Sequence, residues 1–175
     1  MLDSTEESVT SALKRARATL RRQAPAEPHQ VPPPDSPAER KLVEQLTRAY
    51  EAGRIEDLVA LLADDVLLTM PPVPLEYLGR DMVTRFLAAV VFLDGNRFHL
   101  VPVRANGQPA FGMYLRTPGS EHAQGYGIMV FTLAGNKISA MTRFDTTVLP
   151  RFGLPPARGR AELDPQPGGE QCRVP

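Results

Sequence analysis

Cysteine is nearly missing from this chain, and its scarcity removes two classes of protein at once. The single thiol, Cys172, lies three residues from the end of a 175-residue sequence. No intrachain disulfide and no cysteine-based metal cluster can be built from it, which fits a reducing compartment. Net charge is also absent, with 20 basic against 20 acidic residues. No field of the whole molecule draws it to DNA or to a membrane, so any such attraction must be local. There is no apolar run near the roughly 18 residues of a membrane span, and the opening MLDSTEES is acidic where a signal peptide is basic and then apolar. These features predict a soluble, cytoplasmic protein with no membrane partner. The three histidines, His29, His99 and His122, fall in a proline-rich stretch, a strand-like run and a turn, with no metal-ligand spacing. No Gly-rich phosphate loop or Gly-x-Ser-x-Gly elbow occurs. No metal and no cofactor are expected.

What is present falls into parts divided by proline. Residues 1–23 contain a basic helix, Ser8 to Arg22, with Val9, Leu13, Ala16 and Leu20 on one narrow apolar stripe. From Ser11 to Ala24 there are five basic residues and no acidic ones, while Glu6 and Glu7 favour the helix dipole at its start. An apolar side for docking and a basic face for phosphates suit a DNA-reading helix. Glu7, Ser8, Thr10 and Ser11 are then the candidates for base edges, and Lys14, Arg15 and Arg17 for phosphates. A solvated charged helix is the alternative, since basic runs are common. Residues 24–35 form a linker, with Pro25, Pro28, Pro32, Pro33 and Pro34 followed by Pro37, and should act as a semi-rigid spacer without packing. Residues 155–175, with five prolines and few large apolar groups, are expected to be disordered.

Between these flanks, residues 36–154 read first as helices and then as strands. Ser36 caps a helix with Pro37 at its first position, and Leu42, Val43, Leu46, Ala49 and Tyr50 follow at helical spacing until Gly53. A short helix over Ile55–Leu62, an extended run Val66–Met70 ended by Pro71, Pro72 and Pro74, and a helix over Asp81–Phe92 come next. Four strand-like runs then follow in a meander, at 98–104, 110–116, 125–133 and 137–145. This order predicts an α+β domain in which a curved antiparallel sheet wraps three helices as a cone.

The segment AERKLVEQLTRAYEAGRIEDLVALLADDVLLTMPP, with its helix ending in Tyr and its D-L-V-A-L-L run, resembles the SnoaL-like superfamily, also called the nuclear transport factor 2-like fold. SVTSALKRARATL, MPPVPLEYLGR, ANGQPAFGMY and FGLP resemble one subgroup, the extracytoplasmic-function sigma factors that carry a SnoaL-like extension. The resemblance implies that the basic helix is the recognition helix of a promoter-reading helix-turn-helix. It implies a chain corresponding to the C-terminal portion of such a sigma factor, without the core-polymerase-binding region. Promoter DNA and RNA polymerase core are then the partners in the full-length context, and the SnoaL-like domain modulates promoter use in cis, with a pocket that can sense a small molecule. A homodimer through the open sheet face is compatible with it.

The pocket is expected at Met70, Glu76, Tyr77, Phe98, Tyr126 and Arg143, with MPPVPLEYLG as a proline-stiffened loop at its mouth. The alternative is a freestanding isomerase or hydrolase acting on a small apolar substrate, with Tyr77, Glu76, Arg143 and Asp145 as its working groups. Arg143 and Asp145 are two apart on a predicted strand and so should share a face, an arrangement similar to the epoxide-hydrolase branch of the superfamily. Asp64, Asp65, Asp94 and His99 complete the titratable candidates, the first two being read as turn chemistry between helix and strand and His99 as a structural residue. A helix of that charge joined by prolines argues against the enzyme.

Overall fold

Ser36 caps the first described helix as its position predicts: in extended geometry, its hydroxyl accepts from the Glu39 amide at 3.2 Å, and Pro37 follows as the first helical residue. The structure, a computed structural model, describes residues 31–117 and 119–159. The chain divides into two units, Met1–Gln30 and Val31–Pro175. The first unit, and with it every predicted DNA-reading residue, lies outside the described residues.

Helix α1 (Pro37–Ala52) ends at Gly53, whose φ of 64° lets its amide return to Ala49 and Tyr50. Helix α2 (Ile55–Leu61) runs straight into β1 (Leu62–Met70), which pairs with β2 (Val73–Leu78). Helix α3 (Arg80–Phe86) continues through a π-helical turn, Leu87–Val91. Then come β3 (Arg97–Ala105), β4 (Gln108–Arg116), β5 (His122–Ala134) and β6 (Lys137–Phe144), a 3-10 turn at Thr146–Phe152, and β7 (Ala157–Gly159). The sheet order is β2-β1-β6-β5-β4-β3, with β7 paired to β5.

The expected α+β architecture of helices on a curved sheet is present, with corrections at its edges. MPPVPLEYLG is a hairpin whose second half is β2, not a loop. Pro74 is tolerated there because β2 is an edge strand with a bulge, where a missing N–H breaks no ladder. Asp64 and Asp65 lie within β1 rather than in a turn, where the register against β6 shifts. The β1–β6 pair is parallel, so the sheet is mixed rather than wholly antiparallel. The last linker residues do pack: Pro32 is buried, and Asp35 pairs with Arg104 at 2.7 Å. Ala157–Gly159, expected in the disordered tail, form β7.

Strand β5 explains how the two faces are filled. Met129 and Phe131 join the cluster beneath the helices, with Leu46, Leu58, Val83, Leu87 and Phe111. Ile128 and Val130 point the other way, to Ala110, Leu149 and Leu154. Burial on both sides makes the run continuously apolar instead of alternating.

Candidate binding site in the cone interior

A bulge in β5 sets the geometry of the interior. Opposite β4, Met113 pairs with Gly127 and Tyr114 with Gly125, so Tyr126 is the extra residue. Such a bulge re-aims a side chain and frees its carbonyl from the ladder. Gly127 permits it with φ of 128°, and a Cβ there would lie 2.0 Å from the Phe144 oxygen. The freed Tyr126 carbonyl accepts from Arg143 Nη2 at 2.8 Å, and the guanidinium carbon stands 4.1 Å above the Tyr126 ring.

Aromatic contacts carry this pair to the end of α1. Tyr126 meets Phe98 edge-on at 5.1 Å, and Phe98 meets Tyr50 at 5.6 Å. Phe92 packs on Tyr50 at 5.1 Å. Tyr50 is only 1% exposed, and its hydroxyl has no hydrogen-bond partner. Burial, with a smaller push from Tyr126 and a pull the other way from Arg143, raises its pKa far above the ordinary tyrosine value. Tyr50 is therefore a neutral donor at every physiological pH. Arg143 Nε is likewise enclosed without an acceptor.

The predicted pocket residues separate into two groups. Met70 and Phe98 are buried in the inner cluster, with Tyr77 and Tyr126 packed against it, and Arg143 lies on Tyr126. Tyr77 stacks on Phe86 at 4.6 Å. Glu76, one residue earlier on the strand, is exposed. Asp145 is exposed as well: β6 ends at Phe144, and the Asp145 carboxylate accepts from the Thr147 amide at 2.9 Å and from its hydroxyl at 2.5 Å. Those bonds from Thr147 hold its carboxyl below the usual range. Arg143 adds a smaller downward pull on the same carboxyl, but its guanidinium is spent on the Tyr126 carbonyl and ring and makes no direct ion pair with Asp145.

The remaining titratable candidates are structural. Asp64 pairs with Arg80 at 2.5 Å, joining β1 to the start of α3. His99 Nδ1 lies 3.3 Å from Glu51 Oε1, which also accepts from the Leu100 amide at 2.9 Å. Asp94 sits in a turn with φ of 53°, and His122 is exposed. Among the described residues no group of histidine, cysteine and acidic side chains is placed to hold a metal ion. No helix among them is long and apolar enough to cross a membrane. A surface cleft of about 330 Å³ lies between α1 and the β3–β4 hairpin, bounded by Glu39, Val43, Arg104 and Phe111. Another of about 410 Å³ lies beside Asp64, Gly79, Arg80 and Met82. Neither includes a predicted pocket residue. Tyr50 is the functional candidate that sequence reasoning left in the core; its signal was its place as the tyrosine that ends the first domain helix.

A family model described as a SnoaL-like domain matches residues 43–141. The chain belongs to the SnoaL-like domain family. It is similar to the ECF RNA polymerase sigma factor SigG of Mycobacterium tuberculosis, in strains CDC 1551 and H37Rv, at 33% identity over 151 residues. That match covers 85% of this chain and 40% of the relative, so the chain spans well under half the length of the curated relatives it matches. Among solved structures, a protein of Kribbella flavida provisionally assigned as a ketosteroid isomerase aligns with TM-score 0.53 and 21% identity, over 81% of this chain and 93% of that one. An LEH-like epoxide hydrolase of M. tuberculosis aligns with TM-score 0.51 and 15% identity, over 65% and 86%. At such identities the likeness is one of fold, and it assigns the SnoaL-like domain no reaction.

Proposed function

We propose that this chain is the C-terminal portion of an ECF sigma factor, in which the SnoaL-like domain regulates promoter-specific initiation in cis and binds a small molecule in its interior. The observation that carries this reading is the extent of the similarity to SigG: 151 residues, well beyond the 43–141 segment that matches the SnoaL-like domain itself. A freestanding enzyme would need only the domain. The basic residues Lys14, Arg15 and Arg17 then belong to promoter contacts, with Glu7, Ser8, Thr10 and Ser11 at base edges, and polymerase core and promoter DNA are the partners in a cytoplasmic complex. The enzyme reading is disfavoured because Glu76 and Asp145 are exposed and the Asp145 carboxylate is taken up by Thr147.

The test is an immunoblot of the native product, tagged after Pro175 at its own locus, with the tag also used to pull down polymerase. A band well above 19.2 kDa that brings RNA polymerase core with it is expected. A band at 19.2 kDa without polymerase overturns the reading.

A further inference from the structure

Strand β2 stands at the end of the sheet order, with β1 as its neighbour on one side only. Leu78 pairs with Leu67, Tyr77 with Leu68 and Glu76 with Thr69, and beyond them the Gly79 amide donates to the Val66 carbonyl at 2.8 Å. Bonded and non-bonded pairs alternate along an antiparallel ladder. Tyr77 therefore bonds to β1, while Glu76 and Leu78 aim their N–H and C=O groups away from it. Pro74 and the bulge blunt the first half of this edge, and Glu76–Leu78 is the part left open. Of the seven large apolar side chains exposed among the described residues, four lie within Val73–Met82: Val73, Leu75, Leu78 and Met82. Such crowding, with Leu78 67% exposed, marks an interaction site rather than the single apolar residues scattered over an ordinary surface. The cleft of about 410 Å³ opens beside Leu78 and Met82.

Charge decides what fits this edge. Arg80, in the cleft wall, is taken up by Asp64 at 2.5 Å and by the Leu62 carbonyl at 3.0 Å. Glu76 and Asp81 are exposed and form no ion pair among the described residues. We propose that the β2 edge takes an extended segment of a partner protein in which basic and apolar side chains alternate. Its backbone adds a strand through the two N–H and two C=O groups of Glu76 and Leu78. Those two residues share one face of β2 and Tyr77 lies on the other. Basic side chains on the first face reach Glu76 and Asp81 while their aliphatic stems cover Leu78, and apolar ones lie on the Tyr77 face. A second copy of this chain is a poorer occupant. The β2 sequence VPLEYL holds no cation, so pairing it with itself brings two Glu76 carboxylates together uncompensated. This surface lies outside the small-molecule reading of the domain and does not depend on it.

The experiment titrates the full 175-residue chain with a terminally blocked hexapeptide of alternating valine and lysine, and with its valine–glutamate counterpart, while backbone amide signals are followed by NMR. The lysine peptide is expected to bind, to slow hydrogen exchange at the Glu76 and Leu78 amides, and to weaken as salt rises. The glutamate peptide should do none of these. Methylating the peptide nitrogens that face β2 should weaken binding about tenfold, with the protein itself untouched. Glu76→Lys, a substitution at an exposed side chain, should weaken the lysine peptide about fivefold. The proposal is overturned if the lysine peptide fails to bind at millimolar concentration, or if the glutamate or methylated peptide binds equally well. Unchanged affinity in Glu76→Lys overturns it too. So does a wild-type chain that sediments as a dimer with the Glu76 and Leu78 amides already protected, since a second copy then covers the edge.

Discussion

Gly127 fixes the interior more firmly than any of the polar groups it positions. At φ of 128° a side chain is strained, and a Cβ would sit 2.0 Å from the Phe144 oxygen and 3.2 Å from the Asp145 carbonyl carbon, which are backbone atoms that cannot turn aside. Gly127→Ala should therefore open the bulge, pull the Tyr126 carbonyl from Arg143 and cost about 2–4 kcal/mol. Urea denaturation checks it, and a loss below about 1 kcal/mol would show that the bulge relaxes freely. Residue-level reasoning put Asp145 on one strand face with Arg143, but the strand ends one residue before it. Two-residue spacing puts side chains on one face only while the strand lasts, and this strand stops at Phe144. Beyond it, the Asp-Thr-Thr run favours a capped turn, which was readable in the sequence as Asp preceding a helical turn.

Between elements, Glu51 holds the end of α1 to β3. Its carboxylate takes the Leu100 amide at 2.9 Å and lies 3.3 Å from His99 Nδ1. Burial alone would push its pKa up, but the hydrogen bonds from His99 and Leu100 outweigh burial and the net shift is downward. A carboxyl depressed in the folded state contributes stability above its unfolded pKa, near 4.3, and loses it as pH falls through the lower folded value. The urea midpoint of wild type should fall as pH drops below about 4.5, and Glu51→Gln should flatten that limb while lowering stability at pH 7. Superimposable acid limbs for the two proteins would sink the assignment. The helices were legible because Ser36, Pro37 and Gly53 punctuate them and their apolar spacing is regular. Strand β2 was not, because three prolines within Pro71–Pro74 speak against a strand unless it lies at an edge, and edge position is a property of the sheet.

At the scale of the molecule, the segment after β6 closes the face of the sheet opposite the helices. Leu149 and Leu154 pack on Ala110, Ile128 and Val130. Leu154 lies where a Cβ on Gly112 would meet it at 2.2 Å, the Tyr114 hydroxyl donates to the Pro155 carbonyl at 2.9 Å, and the Gly125 amide to Pro156 at 2.8 Å. Composition hid the start of β7, since its ordering comes from backbone pairing with β5 rather than from apolar side chains. This strap also bears on self-association, because the open sheet face expected to pair two copies is covered here by the chain's own Leu149 and Leu154. Leu154→Ala should cost about 2–4 kcal/mol, the usual loss for an emptied leucine site. Replacing Leu149 and Leu154 together by alanine should uncover Ile128 and Val130, and an exposed apolar sheet face associates. Sedimentation velocity should then report a larger species for the double variant than for wild type. An unchanged sedimentation coefficient in a folded double variant would mean that the strap serves stability alone and that the sheet face beneath it is no latent interface.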